Sequence, residues 1–463
     1  MYPSKVVFTG AVFVAAANVV LLVFAGSYDV RIGPLHLAAH GLFKPLLYLN
    51  AAVLIALLAR GARNSAPPNS APPVKAGAGS PSPLWIAALT AALYVPSIFL
   101  VPAADNDWTH RGTTSLLNSF SALLHLFAWK QPDGFYRPLG FLSLRIDSAI
   151  FGEHLWGYHF QNLALHAANA VIVARLAARL GLEAGAARWA GLLFGVASVN
   201  YEPVMWPGAR FDLLAGLFTL LALLAALDYF ERPATAQLLR MLAGFVCGVL
   251  SKESAYCFPP LFVLLWWRYG PRQARAAPAF ASIGAATLLL IGIRFAIFGD
   301  PGGYPDRSGL APHFALSFST FASFFTRAVP SLPFSLNTSA ELATWALGAV
   351  ALYGACACAH TLSASSDRRR DAFFIAAALA SALPVANLVN WIGPAAQNVR
   401  FLYLPSVWIA LMLAATSRAR RWLIALAVAN ALAATYNMQT FRWIERAPPP
   451  SAATPPRTLR APL

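Results

Sequence analysis

"RFDLLAGLFTLLALLAALDYFER", Arg210–Arg232, decides how this chain is read. Between Leu213 and Leu227 it carries no charge. Arg210 and Asp212 stand before the apolar run, and Asp228, Glu231 and Arg232 follow it. About 20 apolar residues are what a helix needs to cross a hydrocarbon core ~30 Å thick. Lipid offers the backbone no hydrogen bonds, so such a segment must be helical. Comparable runs recur along the sequence, and the expected spans are 6–26, 42–59, 84–101, 156–178, 187–200, 211–230, 238–250, 254–268, 279–298, 340–361, 371–390, 399–417 and 421–438. Of the 463 residues, 58% are hydrophobic and 11% charged, against roughly 25% charged in a soluble domain. The expected fold is an all-α integral membrane protein of about 11 to 13 transmembrane helices.

The net charge is +16, from 34 basic and 18 acidic residues. The basic residues sit in short clusters between apolar runs, so topology accounts for them and no nucleic-acid partner is expected. With the amino terminus inside, the inward loops collect Arg60, Arg63 and Lys75, then Arg175, Arg179 and Arg188, then Arg232 and Arg240. They also collect Arg268, Arg272 and Arg275, "DRRRD" at Asp367–Asp371, and "SRARR" at Ser417–Arg421. The outward loops are then 102–155, 200–210, 251–253, 299–339 and 391–398. The Ala-, Arg- and Pro-rich composition reads as bacterial, which makes the expected location the inner membrane with the functional face toward the periplasm.

Residues 1–60 form an amino-terminal transmembrane hairpin, with Val6–Gly26 a retained helix, and 61–83 is a flexible Pro/Ser/Ala linker. Residues 84–440 make the main transmembrane domain, and 441–463 a disordered tail. Thr114–Trp129 spaces Leu116, Phe120, Leu123, Leu124 and Phe127 three and four apart, as an amphipathic helix on the outer leaflet would; Ala311–Val329 repeats the pattern more weakly. Cys247, Cys257, Cys356 and Cys358 read as buried free thiols.

The unusual polar motifs fall in or beside the outward loops. Asp105-Asn106-Asp107 could hold a divalent metal, supply a general base, or simply open a loop. "FYRPLGFLSLRID" offers Arg137 and Asp147 to a phosphate or to lipid headgroups. His159, Asn162, His166 and Asn169 make a polar stripe that either meets substrate, His159 foremost, or joins helices by hydrogen bonds. Glu202, Arg210 and Asp212 surround two prolines, with Arg210 and Asp212 close enough to pair, and Lys252-Glu253 places opposite charges in a tight turn. Arg400 enters a span among aromatic and aliphatic neighbours, either to snorkel or to meet an anion.

Four stretches occur in order: "YRPLGFLSLRIDSAIFGEHLWGYHFQNLALHAANA", "MWPGARFDLLAGLFTLLAL", "LSKESAYCFPPLFVLL" and "QNVRFLYLPSVWIALMLA". Together they resemble the GT-C membrane glycosyltransferases, and within them the branch of protein O-mannosyltransferase-like proteins of the transmembrane-and-tetratricopeptide type. The resemblance runs from about Asp105 to Leu413. It implies a polyprenyl-phosphate-linked sugar donor, an essential acid at Asp105 or Asp107 with Asp105 preferred, and phosphate contacts among Arg137, Arg210, Lys252 and Arg400. Asn106 separates two acids that the family usually has adjacent, Ala197-Ser198 replaces its His-Pro, and no tetratricopeptide repeats follow the last span.

The function expected is inverting transfer of a sugar to an acceptor hydroxyl on a protein, glycan or lipid. The substrate-binding set is Arg137, Asp147, His159, Glu202, Arg210, Asp212, Lys252, Glu253 and Arg400. No cofactor and no metal are expected, since a polyprenyl monophosphate can leave without one. A transporter or flippase of lipid-linked sugars would use the same cations without chemistry.

Overall fold

The computed structural model describes residues 27–32, 35–40, 84–99, 126–127, 135–152, 154–270, 276–298, 367–385, 398–416 and 420–444. The described residues are those of an all-α membrane protein with one added hairpin. In that hairpin β1 (Ser27–Ile32) pairs antiparallel with β2 (Leu35–His40), from Ser27 opposite His40 to Ile32 opposite Leu35. The helices follow as α1 (Leu84–Tyr94), α2 (Pro138–Phe151), α3 (Leu155–Arg179), α4 (Ala184–Val196) and α5 (Tyr201–Met205). Then come α6 (Arg210–Glu231), α7 (Thr235–Ser251), α8 (Phe258–Tyr269) and α9 (Ala276–Phe298). The series ends with α10 (Arg368–Ala382), α11 (Tyr403–Thr416) and α12 (Arg420–Ile444). The expected spans 6–26, 42–59 and 340–361 lie outside the described residues, as do the two amphipathic segments apart from a turn at 126–127.

Three described stretches are long and apolar enough to cross a membrane: Pro207–Glu231, Ala276–Phe298 and Val399–Thr416. Leu84–Ile98, Thr235–Ser251 and Leu423–Met438 are shorter apolar helices. The expected span at 254–268 begins later than its hydropathy suggests. Pro259 and Pro260 lack the N–H that a helix interior needs, so they occupy the first turn of α8, and 253–257 form a 3-10 turn before it. Helix α2 lies where the sequence reading left irregular loop, with Pro138 opening its first turn. At α10 the Asp367 side chain accepts from the Arg370 backbone N–H at 3.0 Å, a conventional N-cap.

The bundle is built around α6, which packs on α7 and α3; α4 packs on α3 and α11, and α10 on α11. Polarity is inverted relative to a soluble protein. Leu288 and Leu289 on α9 are 73% and 65% exposed, while Arg210, Asp147, His166, Asn169 and Asn200 are buried. That is the arrangement lipid demands. Helices α6 and α7 approach closely because Gly244 lacks a side chain: a Cβ there would stand 2.9 Å from the Ala222 Cβ and 3.0 Å from the Phe218 carbonyl.

Gly244→Val should therefore wedge α6 from α7 and cost roughly 1–3 kcal/mol, an over-packing penalty. Gly284→Val is the control, because a Cβ at Gly284 meets nothing within 4 Å. Thermal unfolding in detergent should show a lowered midpoint for the first variant and little change for the second.

Candidate functional site

Four charge clusters gather where several helices end together. Arg210, the first residue of α6, is fully buried. Its Nε donates to Asn162 Oδ1 at 2.7 Å and its Nη2 to the Tyr158 carbonyl at 2.7 Å. Its Nη1 reaches Ser143 Oγ at 3.3 Å and forms an ion pair with Asp147. A buried guanidinium must be met by acceptors on every side, and here they come from α2 and α3. Asn162 also anchors the turn around α5, its amide donating to the carbonyls of Pro203 at 3.1 Å and Trp206 at 3.0 Å.

The second cluster is Asp212 with Lys252, whose Nζ lies 2.6 and 2.5 Å from the two carboxylate oxygens. The third is centred on Glu253. Its Oε2 accepts from Arg137 Nε at 2.9 Å and Nη2 at 2.8 Å, and its Oε1 from Arg294 Nη1 at 3.2 Å. In the fourth, Glu202 accepts from the Arg400 backbone N–H at 3.0 Å and pairs with its guanidinium. Aromatic rings join the clusters. Phe211 lies between Arg210 and Asp212 in sequence, with the Arg137 guanidinium 5.4 Å from its ring centre. Phe401 has Lys252 Nζ at 5.1 Å and the Arg400 guanidinium at 4.9 Å, and Arg400 also stacks 4.8 Å from Trp206.

Charge elsewhere on these helices is treated differently. Arg179 pairs with Asp228 at 2.5 Å and Glu231 at 3.1 Å, and Arg268 with Asp367 at 3.1 Å. There Asp228 and Asp367 are 40% and 38% exposed, whereas Asp147 is fully buried. Solvated pairs cost little and stabilise little. Buried ones carry a desolvation cost of several kcal/mol per ion, which makes their concentration at one end of the bundle the mark of a site. Burial pushes the Asp147 carboxyl up to about 6, against the pull of Arg210. Burial also works to raise Glu253, but Arg137 and Arg294 outweigh it and hold the carboxyl down at about 2.

Of the expected site residues, Arg137, Asp147, Glu202, Arg210, Asp212, Lys252, Glu253 and Arg400 all belong to this layer, and His159 lies beside Arg210. Asp105 and Asp107 lie outside the described residues. The local pairings open to the sequence reading give way to longer reach: Arg210 meets Asp147, and Asp212 meets Lys252. The stripe on α3 divides. Asn162 serves the layer, while His166 bonds the Tyr403 hydroxyl at 2.9 Å and the Gly195 carbonyl at 3.0 Å, and Asn169 the same hydroxyl at 2.9 Å. Those two knit helices together, the second of the roles open to the stripe. Sequence reasoning missed Arg294, whose signal was a single charge in the apolar "LLLIGIRFAIF", and Asn162 as the partner of Arg210. Among the described residues no three His, Cys, Asp or Glu side chains come together as a metal-binding group.

The fold and this layer define an all-α membrane protein with a buried polar site at one end of its helices. The chain is similar to Protein O-mannosyl-transferase TMTC2 of Mus musculus, at 35% identity over 127 residues, 27% of this chain and 14% of that protein. It is similar also to Protein O-mannosyl-transferase TMTC2 of Homo sapiens, at 34% over 127 residues, and to tmtc2 of Xenopus laevis, at 36% over 126 residues, 15% of its length. The matched stretch spans about a seventh of these relatives. No protein-family model matches the chain, and no solved structure matches it. The likeness supports the O-mannosyltransferase-like branch of the resemblance seen in the sequence.

The Glu253 cluster makes a definite prediction. Because its carboxyl is held at about 2 against an ordinary 4.5, its stabilisation is complete above about pH 4.5 and lost as pH falls through about 2. Glu253→Gln, which leaves two buried guanidinium groups sharing no carboxylate, should cost roughly 3–5 kcal/mol at neutral pH. The stability gap between wild type and variant should stay level from pH 8 to 5 and narrow below that in denaturation series.

Proposed function

We propose that the protein is an inverting glycosyltransferase that moves a sugar, mannose on the precedent of its relatives' names, from a polyprenyl-phosphate-linked donor to an acceptor hydroxyl. The observation that carries this reading is the layer in which Arg137, Arg210, Lys252 and Arg400 converge with their carboxylates at one buried end of the bundle. In this reading that end faces the periplasm of a bacterial inner membrane, and the donor enters sideways from the lipid. The acceptor hydroxyl belongs to a protein, glycan or lipid.

The chemistry is a single in-line displacement. The acceptor oxygen forms a bond to the anomeric carbon as the bond from that carbon to the phosphate oxygen breaks, and the electron pair leaves with the polyprenyl phosphate. The hydroxyl proton passes to a carboxylate, assigned to Asp105 or Asp107 with Asp105 preferred. Cations beside the leaving group stabilise charge that is greater in the transition state than in the bound donor, and so lower the barrier. A guanidinium has five N–H donors in a fixed fork, so a carboxylate that takes two of them orients the group without exhausting it. Glu253, Glu202 and Asp147 are in this reading the groups that aim the arginines. The step draws on no metal or cofactor.

Purified protein with labelled polyprenyl-phosphate mannose and an acceptor, or water in its place, tests the reading. Turnover should fall about 10²- to 10⁴-fold in one of Asp105→Asn and Asp107→Asn, the range for loss of a general base. Movement of the lipid across liposomes with no turnover would replace the enzyme by a transporter.

A further inference from the structure

His159 is placed like a ligand-binding group. It is 2% exposed, one turn before Asn162 on α3, and Arg210 and the Met205 carbonyl lie beside it. The Met205 carbonyl accounts for one ring nitrogen, and the other meets no partner. The indole Nε1 of Trp206, the residue after Met205, is also buried without a partner. Buried polar atoms are otherwise almost always satisfied, and each exception calls for a cause. Other such atoms are scattered through the described residues, at Thr90, Thr219 and Gln237 among them, but these two stand beside the layer of ion pairs, whereas His166 two turns along α3 has both nitrogens engaged.

We infer that His159, with the Trp206 indole N–H, forms a subsite that reads a hydroxyl of the transferred sugar. This rests on the glycosyltransferase reading and adds to it which part of the donor the turn recognises. With its N–H turned to the Met205 carbonyl, a neutral imidazole keeps one lone pair, and an indole offers an N–H alone. A hydroxyl, which both donates and accepts, satisfies both; a phosphate only accepts, and the neighbouring arginines suit it better. In a polyprenyl-phosphate sugar the nearest hydroxyl is on the carbon next to the one that carries the phosphate, as this turn lies next to Arg210.

The test measures binding of polyprenyl-phosphate mannose, its four monodeoxy analogues and undecaprenyl phosphate to detergent-solubilised protein. With wild type, removal of one particular hydroxyl should weaken binding about 10- to 100-fold, because a buried partner is then left unmet. His159→Phe should lose affinity for the sugar lipid by a similar factor, keep its affinity for undecaprenyl phosphate, and no longer distinguish that deoxy analogue. His159→Asn, which keeps a donor and an acceptor, should recover part of the loss. If all four deoxy lipids bind wild type like the parent, the subsite does not exist, whatever the variants do. Equal loss for both lipids in His159→Phe would mean that the ring serves the phosphate or the fold. If wild type binds neither lipid, the glycosyltransferase reading itself fails, and this inference falls with it.

Discussion

A guanidinium with no exposure must have its donors met by the protein, and Arg210 imposes that demand on three helices. Its partners are Asn162 and the Tyr158 carbonyl on α3, and Ser143 and Asp147 on α2. None of these is close to it in sequence, so the interaction sets the register of α2 and α3 against the start of α6. A shift of one helical turn, ~5.4 Å, would strip the cation of its neighbours. The consequence extends further through Asn162. Its amide grips the carbonyls of Pro203 and Trp206, which places Glu202 to receive Arg400 and sets Trp206 beneath that guanidinium. One buried cation thereby orders the turn that holds the rest of the layer.

The two kinds of ion pair in this bundle illustrate how charge is managed near lipid. Arg179 with Asp228 and Glu231 sits where water can reach, and needs only rough alignment. The pairs around Arg210 and Asp212 have been taken out of water and the half-buried Glu253 meets two buried arginines, and each is held by more than one contact. Apolar residues of similar volume would satisfy packing at lower cost, so these groups are poor candidates for purely structural glue. His166, Asn169 and Tyr403 show what glue looks like in the same protein: neutral, interlocked, and set deeper among the apolar side chains.

The helical membrane fold was legible because hydropathy averages over many residues, and a run such as Leu213–Leu227 leaves no alternative. The polar residues of the layer were legible too, since each interrupts or borders such a run. Their pairing was not. Arg210 has Asp212 two positions away yet meets Asp147, because at that spacing side chains on a helix diverge. Helix α2 was missed because it lies between expected spans and mixes polar with apolar residues. Arg294 was missed for the opposite reason, being one charge in 23 residues of otherwise apolar helix. The strand pairing at Ser27–His40 had no reading at all, although Tyr28, Val30 and Ile32 alternate with Ser27, Asp29 and Arg31, because the second strand, with Ala38 beside Ala39, keeps that alternation only in its first half.

Lys252 and Glu253 show most clearly why adjacency in sequence misleads here. Opposite charges side by side suggest a local pair that neutralises itself. The backbone prevents that reading from holding: Lys252 is extended, with φ −162° and ψ 148°, between the end of α7 and a 3-10 turn. Consecutive side chains on extended backbone point to opposite sides. Lys252 therefore reaches Asp212 on α6, while Glu253 turns the other way to Arg137 ahead of α2 and Arg294 on α9. A single extended residue thus makes a charged dipeptide the link between two clusters. The break in helix that separates α7 from α8 is what makes the link possible, since on continuous helix the two side chains would stand only about 100° apart instead of on opposite sides. The site depends on the places where helices stop as much as on the helices themselves.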